Sequence, residues 1–593
     1  MRVKVTKSKN AESFYIIKSF RDKATGKSTS KAIEKLGTRK ELEERLGSDA
    51  DIEAWARERA RELTRAEKER TRCVVERLDP GARLEKGVRK VYGGGYLFLQ
   101  KIYHELSLDK TCAEISSRHN FSYDLNAVLS RLVYGRVLEP ASKASTCQFA
   151  NHLIEGAGFE GHQVYRALGV LAQESDFIQA ALYEASAKAV GRKTKILFYD
   201  CTNFFFEIEQ EDDFRKFGPS KQHQPSPLVQ MGLFMDADGM PLAFCMGPGS
   251  QNEQATLIPL EKRIMADFSL AKFVVCTDAG LSSTANRMFN SAAERQFITT
   301  QSVKTLKSHL KEWALDTKGW HASGTEATFD LDELEALLES EDTDETTRQA
   351  LMGRVFYKER MVKEKAKGEA EPFEQRLIVT FSFKYRAYAR RIRQGQIDRA
   401  ARDIERGAAA VGKKRQNDYK RFISQASITE EGEVASEVAL TLDTARIAEE
   451  ERYDGFYGLA TSLDGEDIEG ILKVNSRRWE IEECFRIMKT EFKARPVYLS
   501  RKDRIRAHFL TCFIALLVFR ILEKRLGEKY TCAQIIDGLR QMDFKEVRGE
   551  GYEPLYERTD FTDDVHETFG FRTDYEIVTN RAMKEIIRKT KGR

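Results

Sequence analysis

Three carboxylates stand where carboxylates can do chemistry. Asp200 closes the apolar run KILFYD (residues 195–200), and Asp278 closes the apolar part of KFVVCTDAG (residues 272–280). Each is expected to end a buried strand, where an uncompensated carboxylate is costly unless it emerges at the rim of a sheet. Glu482 lies within NSRRWEIEECFRIMKTEFKARPVY (residues 475–498). At 100° per residue, Arg478, Glu482, Arg486 and Lys489 fall within an arc of about 80°. Ile481, Cys484, Phe485, Met488 and Phe492 fill a separate arc of about 100°. One face is built for a core, and the other sets one carboxylate among three cations. Such a strip suits a metal ion held beside a phosphate backbone. Taken alone it equally suits a solvated helix laced with ion pairs, and an Asp after a strand is commonly a turn or capping residue.

Carboxylates brought together repel, and a divalent cation is the usual remedy. Oxygen ligands without His or Cys suit Mg²⁺ or Mn²⁺. Two such ions about 3.5–4 Å apart can clamp the attacking and leaving oxygens of a phosphoryl transfer. The nine histidines show no HExxH or zinc-ligand spacing, and the nine cysteines form no CxxC pair. That excludes a zinc or disulfide scaffold and leads us to expect a reducing cytosol. Neither GxxxxGK[ST] nor GxGxxG occurs, which excludes a nucleotide-driven motor or a dinucleotide enzyme. The N-terminal residues lack an apolar segment, so no secretory signal is expected. The longest apolar run, residues 509–519, is about half a membrane span and is expected to be a core helix. With 41% hydrophobic and 32% charged residues and a net charge of only +4 over 593 residues, the chain reads as charge-rich and globular. Any affinity for polyanions must come from local clustering.

The elements that must position these acids are expected as follows. Residues 1–85 read as a small β-hairpin, with a turn at Asp22-Lys23-Ala24-Thr25-Gly26, and a helix at 51–72 that is polar nearly all round. Residues 86–190 read as a helical domain that binds DNA or dimerises, with Ser142 and Ser145 available as caps beside Pro140. From 191 to 301 strands alternate with a helix: KILFYD, LVQMGLFMD and MPLAFCMG around the turn Ala237-Asp238-Gly239, then VVCTD and QFITT. Residues 302–452 read as an insertion, 453–525 as the second part of the α/β unit, and 526–593 as a charged C-terminal region. Within the insertion, residues 384–421 hold thirteen lysines and arginines against four acids, with Tyr385, Tyr388 and Tyr419 among them. That strip suits a phosphate backbone, and a solvated helix face accounts for it as well.

Asp200, Asp278 and Glu482, in that order with a long insertion before the Glu, resemble the acidic triad of insertion-sequence DDE transposases. The helix resembles the Tyr-x2-Arg-x3-Glu-x6-Lys signature of the insertion-sequence four family. Arg478, Glu482 and Lys489 match it, and Asn475 stands where the family has Tyr. YDCTNFFFE, PGSQNEQATL and VVCTDAG are similar to further blocks of that family, over roughly residues 190–525. The resemblance implies an α/β fold with an RNase H-like core interrupted by a large insertion, beside the N-terminal helical domain and hairpin. It also implies that the three acids are catalytic ligands of two Mg²⁺ or Mn²⁺ ions. The implied reaction cuts transposon ends and joins them to target DNA, with Arg478 and Lys489 on phosphates and Asn475 in place of a DNA-contacting Tyr. Arg486 is a further DNA-binding candidate on the same face. Trp479 is expected in the core rather than on a base, and Thr202 as a local hydrogen-bonding partner of Asp200. The implied partners are terminal inverted repeats, target DNA and a second copy of the chain. No membrane is implied, and the setting is a bacterial or archaeal cytoplasm near the nucleoid. A nuclease of the same fold without strand transfer, a catalytically silent DNA-binding descendant and an enzyme of small phosphorylated metabolites are the alternatives.

Overall fold

A nine-stranded mixed sheet carries the segments singled out above. In chain order its strands are β1 (Ile196–Phe205), β2 (Leu228–Asp236), β3 (Pro241–Pro248), β4 (Val274–Thr277), β5 (Gln296–Thr300), β6 (His321–Ala322), β7 (Phe356–Glu364), β8 (Phe373–Phe381) and β9 (Phe456–Thr461). Across the sheet they run β6-β7-β8-β9-β5-β4-β1-β2-β3. β1 pairs antiparallel with β2 and parallel with β4, and β4 pairs parallel with β5. β2 and β4 are near-continuous apolar runs, as strands covered on both faces must be, and every residue of both is buried. The β2–β3 turn needs Gly239, whose φ is +75° and whose absent Cβ would lie 2.4 Å from Glu480 Oε2.

The computed structural model describes residues 1–592 apart from 9–10, 22–27, 48–49, 71–73, 77–78, 220–224, 366–367, 369–370, 407–417 and 429–433. The chain divides into two units. The larger comprises Gly93–Met542, Arg558–Gly570 and Arg588–Arg593 and contains the nine-stranded sheet. Its residues 302–452 do more than interrupt the sheet, because β6, β7 and β8 extend it beyond β9. β7 and β8 pack Phe356, Leu377, Val379 and Phe381 around buried Trp320. Trp320 Nε1–H donates to the Asp316 carbonyl at 2.9 Å, satisfying its polar atom inside the core.

Helix α1 (Leu257–Asp267) covers one face of β1 and β4. α2 (Phe383–Glu405) carries the basic block. α3 (Ile468–Ser476) and α4 (Trp479–Lys489) replace the single helix expected from residue 475 onward, the chain breaking step at Arg477–Arg478. α5 (Lys502–Arg525) is apolar enough for a membrane span but 94% of its most apolar stretch is buried inside the protein. It packs against helices Tyr96–Glu105, Leu125–Leu138 and Gly161–Gln173, as a helix apolar on every side must be. Ser142 caps helix Lys143–Ala150 by accepting the Ser145 N–H at 3.2 Å.

The smaller unit comprises Met1–Tyr92, Asp543–Glu557 and Phe571–Ile587. The hairpin expected there belongs to a three-stranded sheet, because its first strand, Glu12–Arg21, pairs with Arg2–Lys7 as well as with Ser28–Thr38. The turn at 22–26 lies outside the described residues. The polar helix, Ile52–Arg70, also differs from expectation: Ile52, Ala56 and Ala60 form a buried stripe against Phe14, Ile16 and Leu36. Trp55 and Leu63 pack at the margin of this stripe, and its two alanines add little to a hydropathy pattern.

Candidate functional site

The two faces of β1 do different work. Tyr199 and Cys201 point into the core under α1. The Tyr199 hydroxyl lies 2.6 Å from Thr256 Oγ1, and the ring sits over Gly232, where a Cβ would come within 2.1 Å of that hydroxyl. Alternation therefore turns Asp200, Thr202 and Phe204 to the opposite face, where Phe204 packs on Phe509 of α5 at 4.6 Å between ring centroids. Asp200 does not end its strand, as the sequence suggested. The ladder to β2 continues to Phe205 opposite Leu228, carried by the strand-favouring Thr202, Phe204 and Phe205. Asp200 is half-buried in mid-strand, its Oδ1 accepting the Cys201 N–H at 2.7 Å.

Asp278 does follow its strand directly. It caps the short turn Ala279–Leu281, and its Oδ1 accepts the Ala279 N–H at 2.7 Å. The last paired position between β1 and β4 sets Tyr199 opposite Thr277. Asp200 and Asp278 are thus the next residues on two parallel neighbours, whose separation is about 4.8 Å. The two residues occupy the same level of adjacent strands.

α4 is fixed over them from behind. Ile481, Cys484, Phe485 and Met488 are buried, as is Phe492 just beyond the helix. Buried Glu480 accepts from Arg477 at 2.7 Å, and Arg520 of α5 donates to the Gly239 carbonyl at 3.2 Å. In front, the Arg478 guanidinium reaches Asp278 Oδ1 at 3.2 Å and donates to Thr300 Oγ1 at 3.0 Å. Lys489, three turns on, donates to Thr202 Oγ1 at 2.5 Å. One end of the stripe is therefore anchored on β4 and β5 and the other on β1. Glu482 lies on that stripe between the anchors, exposed and without a hydrogen bond or ion pair among the described residues.

Asn475 belongs to the support. Its Nδ2 donates to the Tyr457 hydroxyl at 3.1 Å, and that hydroxyl lies 2.8 Å from Thr300 Oγ1. A chain of hydrogen bonds runs Asn475–Tyr457–Thr300–Arg478 and ends in the ion pair of Arg478 with Asp278. Thr300 and Tyr457 were not singled out in the sequence, since a lone Thr and Tyr in apolar strands carry no motif. Cys276 lies beneath, its thiol pushed up to about 12 by burial and therefore neutral. Arg486 is engaged by Glu483 of its own helix at 2.7 Å. Trp479, expected in the core, is 61% exposed. Its helical angle places it almost opposite the buried arc, which the spacing already contained.

Among the described residues no group of three or more His, Cys, Asp and Glu side chains is drawn together closely enough to hold a metal ion. Asp278 is turned onto Arg478, and Glu482 stands free of both strands. The donor chemistry nevertheless fits a hard divalent cation: oxygen acids from two adjacent strand positions and from the stripe facing them, with neither His nor thiolate among them.

The basic block on α2 differs from the open strip expected. Arg386 is paired with Glu335, Arg393 with Asp454 at 2.5 Å, and nearby Arg421 with Glu450 at 2.8 Å. Tyr385 and Tyr388 are exposed, their rings stacked 6.4 Å apart. Lys413, Lys414 and Arg415 lie outside the described residues.

The family model described as transposase DDE domain matches residues 192–518. No curated protein matches. Among solved structures, the piggyBac transposase synaptic complex with hairpin DNA aligns at 10% identity over 83% of this chain and 88% of that one, with a TM-score of 0.33. The Mos1 transposase paired-end complex with the left transposon end aligns at 11% identity over 42% and 68%, with a TM-score of 0.12. The Mos1 mariner paired-end complex with Mn aligns at 12% identity over 44% and 70%, with a TM-score of 0.13.

Proposed function

The chain belongs to the transposase DDE-domain family and is a DNA transposase, and from that premise we propose that Asp200, Asp278 and Glu482 are its catalytic acids. The observation that carries this reading is the pairing of geometry across the sheet–helix gap. The two Asp occupy matching positions just beyond the last paired residues of adjacent parallel strands, and the stripe holding Glu482 is tied by Arg478 to one strand and by Lys489 to the other. The strand order β3-β2-β1-β4-β5, with three antiparallel strands followed by two parallel ones, supports an RNase H-like core. The Arg478, Glu482 and Lys489 spacing supports the insertion-sequence four family, with Asn475 in the Tyr position.

In this reading the three acids hold magnesium or manganese, which supplies a nucleophilic oxygen at neutral pH and neutralises charge on the scissile phosphate. The protein's own residues do the rest. Arg478, held in place by Thr300, Tyr457 and Asn475, fixes Asp278 and presents its guanidinium to a phosphate. Lys489, over the Phe204 ring at 5.5 Å and bonded to Thr202, holds a point charge beside Asp200. Asn475, tied to Tyr457, acts from below rather than as a DNA ligand. Exposed Trp479 offers the stacking face that Asn475 lacks. Transposon ends and target DNA are the substrates, and two copies of the chain pair two ends.

The test is incubation with DNA carrying the element's own ends and Mg²⁺. Asp200→Ala and Glu482→Gln should bind the ends and cut neither strand. Cleavage surviving in either variant would remove that residue from the site.

A further inference from the structure

A cavity of about 280 Å³ lies where the chain leaves α4, lined by cations from three separate elements. Arg136 comes from helix Leu125–Leu138, Lys143 from the first turn of helix Lys143–Ala150, and Lys493 and Arg495 from the segment after α4. His508 of α5 also lines it, and no Asp or Glu does. The Lys143 side chain is 95% buried, with 5% exposure, yet its Nζ has no hydrogen-bond partner among the described residues. The same is true of Arg495 Nη1 and Arg136 Nε. The rest of the Arg136 guanidinium is locked by the carbonyls of Phe492 at 3.0 Å and Ala141 at 3.3 Å, and His508 Nε2 contacts the Ala494 carbonyl at 3.1 Å. The walls are therefore fixed, while three buried cationic nitrogens of the lining residues have no acceptor among the described residues.

Buried positive charge without a counter-charge is costly, and nothing among the described residues balances it. Burial, then Arg136, draws Lys143 down to about 7, and burial, Lys143 and Arg136 hold His508 well below its usual value. An anion supplied from outside removes the conflict and accepts from Lys and Arg together, the geometry suited to phosphate. The pocket also continues the basic stripe of α4: Lys493 follows Lys489 by four residues, and Arg495 stacks on Phe205, the last residue of β1, at 5.0 Å. Tyr498, 74% exposed, stands at the rim.

We propose that this pocket is a phosphate site and that its ligand is one backbone phosphate of bound DNA, gripped by Lys143, Arg495 and Arg136 beyond the catalytic acids. The DNA assignment rests on the transposase reading; the phosphate assignment does not. The full chain should gain thermal stability in inorganic phosphate relative to chloride at equal ionic strength. Lys143→Met, which keeps the length of the side chain and removes its charge, should abolish that gain and raise the melting temperature in phosphate-free buffer. Arg495→Gln should weaken the phosphate response without lowering the melting temperature. With duplex DNA, each variant should lower the slope of log Kd against log salt by about one, while Asp200→Ala leaves it unchanged. No response of the wild-type chain to phosphate, or loss of stability in Lys143→Met with the response retained, would overturn the site. A phosphate response that Lys143→Met abolishes, with an unchanged DNA slope, would overturn the DNA assignment and leave a free phosphate compound as ligand.

Discussion

Two regions of this chain are dense in cations, and they differ in what faces them. On α2, the cations meet acids from the inserted segment and the residues just after it: Arg386 meets Glu335, Arg393 meets Asp454, and nearby Arg421 meets Glu450. In the pocket beyond α4, by contrast, Lys143 and Arg495 present N–H groups without an acceptor among the described residues. The α2 region holds more cations in sequence, but it also carries its own counter-ions. A phosphate competes poorly for a guanidinium already held by a carboxylate in a dry setting, and well for one that lacks an acceptor. What marks a polyanion site is positive charge left unbalanced.

The largest effect is expected at the acids. Asp278→Asn should lower end cleavage on the order of a thousandfold, the scale of losing a charge-positioning group in phosphoryl transfer, with binding of the ends retained in a mobility-shift assay. Arg393→Met should cost about 4 kcal/mol by leaving Asp454 buried and alone. Denaturant unfolding measures it, and the salt slope of DNA binding should not move.

An unbalanced charge of the opposite sign lies on the other face of the sheet. Glu261 is buried in α1 with one oxygen accepting from Asn290 at 2.8 Å and the other unpartnered, and burial pushes its pKa up to about 7. The folded state holds this proton more tightly than the unfolded state. Its penalty is therefore absent below about 4.5, grows as pH rises, and is complete above about 7. Glu261→Gln should flatten that part of the stability profile and gain about 3 kcal/mol at pH 8, as read by unfolding across pH. The smallest effect is expected at Arg391, which is exposed and lies over the Tyr388 ring at 5.7 Å. Arg391→Ala should change stability by less than about 0.5 kcal/mol; a larger loss would show that α2 depends on more than its paired cations.

Much of the sheet was legible because its inner strands are continuous apolar runs bounded by turns. QFITT is β5 to the residue, and Ala237-Asp238-Gly239 joins β2 to β3. β7 was missed because FYKERMVKE is half charged, its outer residues open to solvent on one face. The three acids were singled out from their order and spacing, but the place of Asp200 within its strand was not legible, since only pairing with β2 decides where that strand stops. The chain from Asn475 to Asp278 and the cavity at Lys143 were invisible for another reason. Each joins segments more than a hundred residues apart, and Thr300, Tyr457 and Lys143 alone are ordinary polar residues. Helical spacing did contain the exposure of Trp479, but its size made a core position the default.

The central claim is that Glu482 acts with Asp200 and Asp278 across the gap between sheet and helix. Calorimetric titration with Mn²⁺, without DNA, tests it most directly. We predict that Glu482→Gln weakens Mn²⁺ binding at least tenfold, the scale of losing one ligand or its immediate support, while the melting temperature without metal is unchanged. Equal Mn²⁺ affinity in the wild-type chain and in Glu482→Gln would contradict the account.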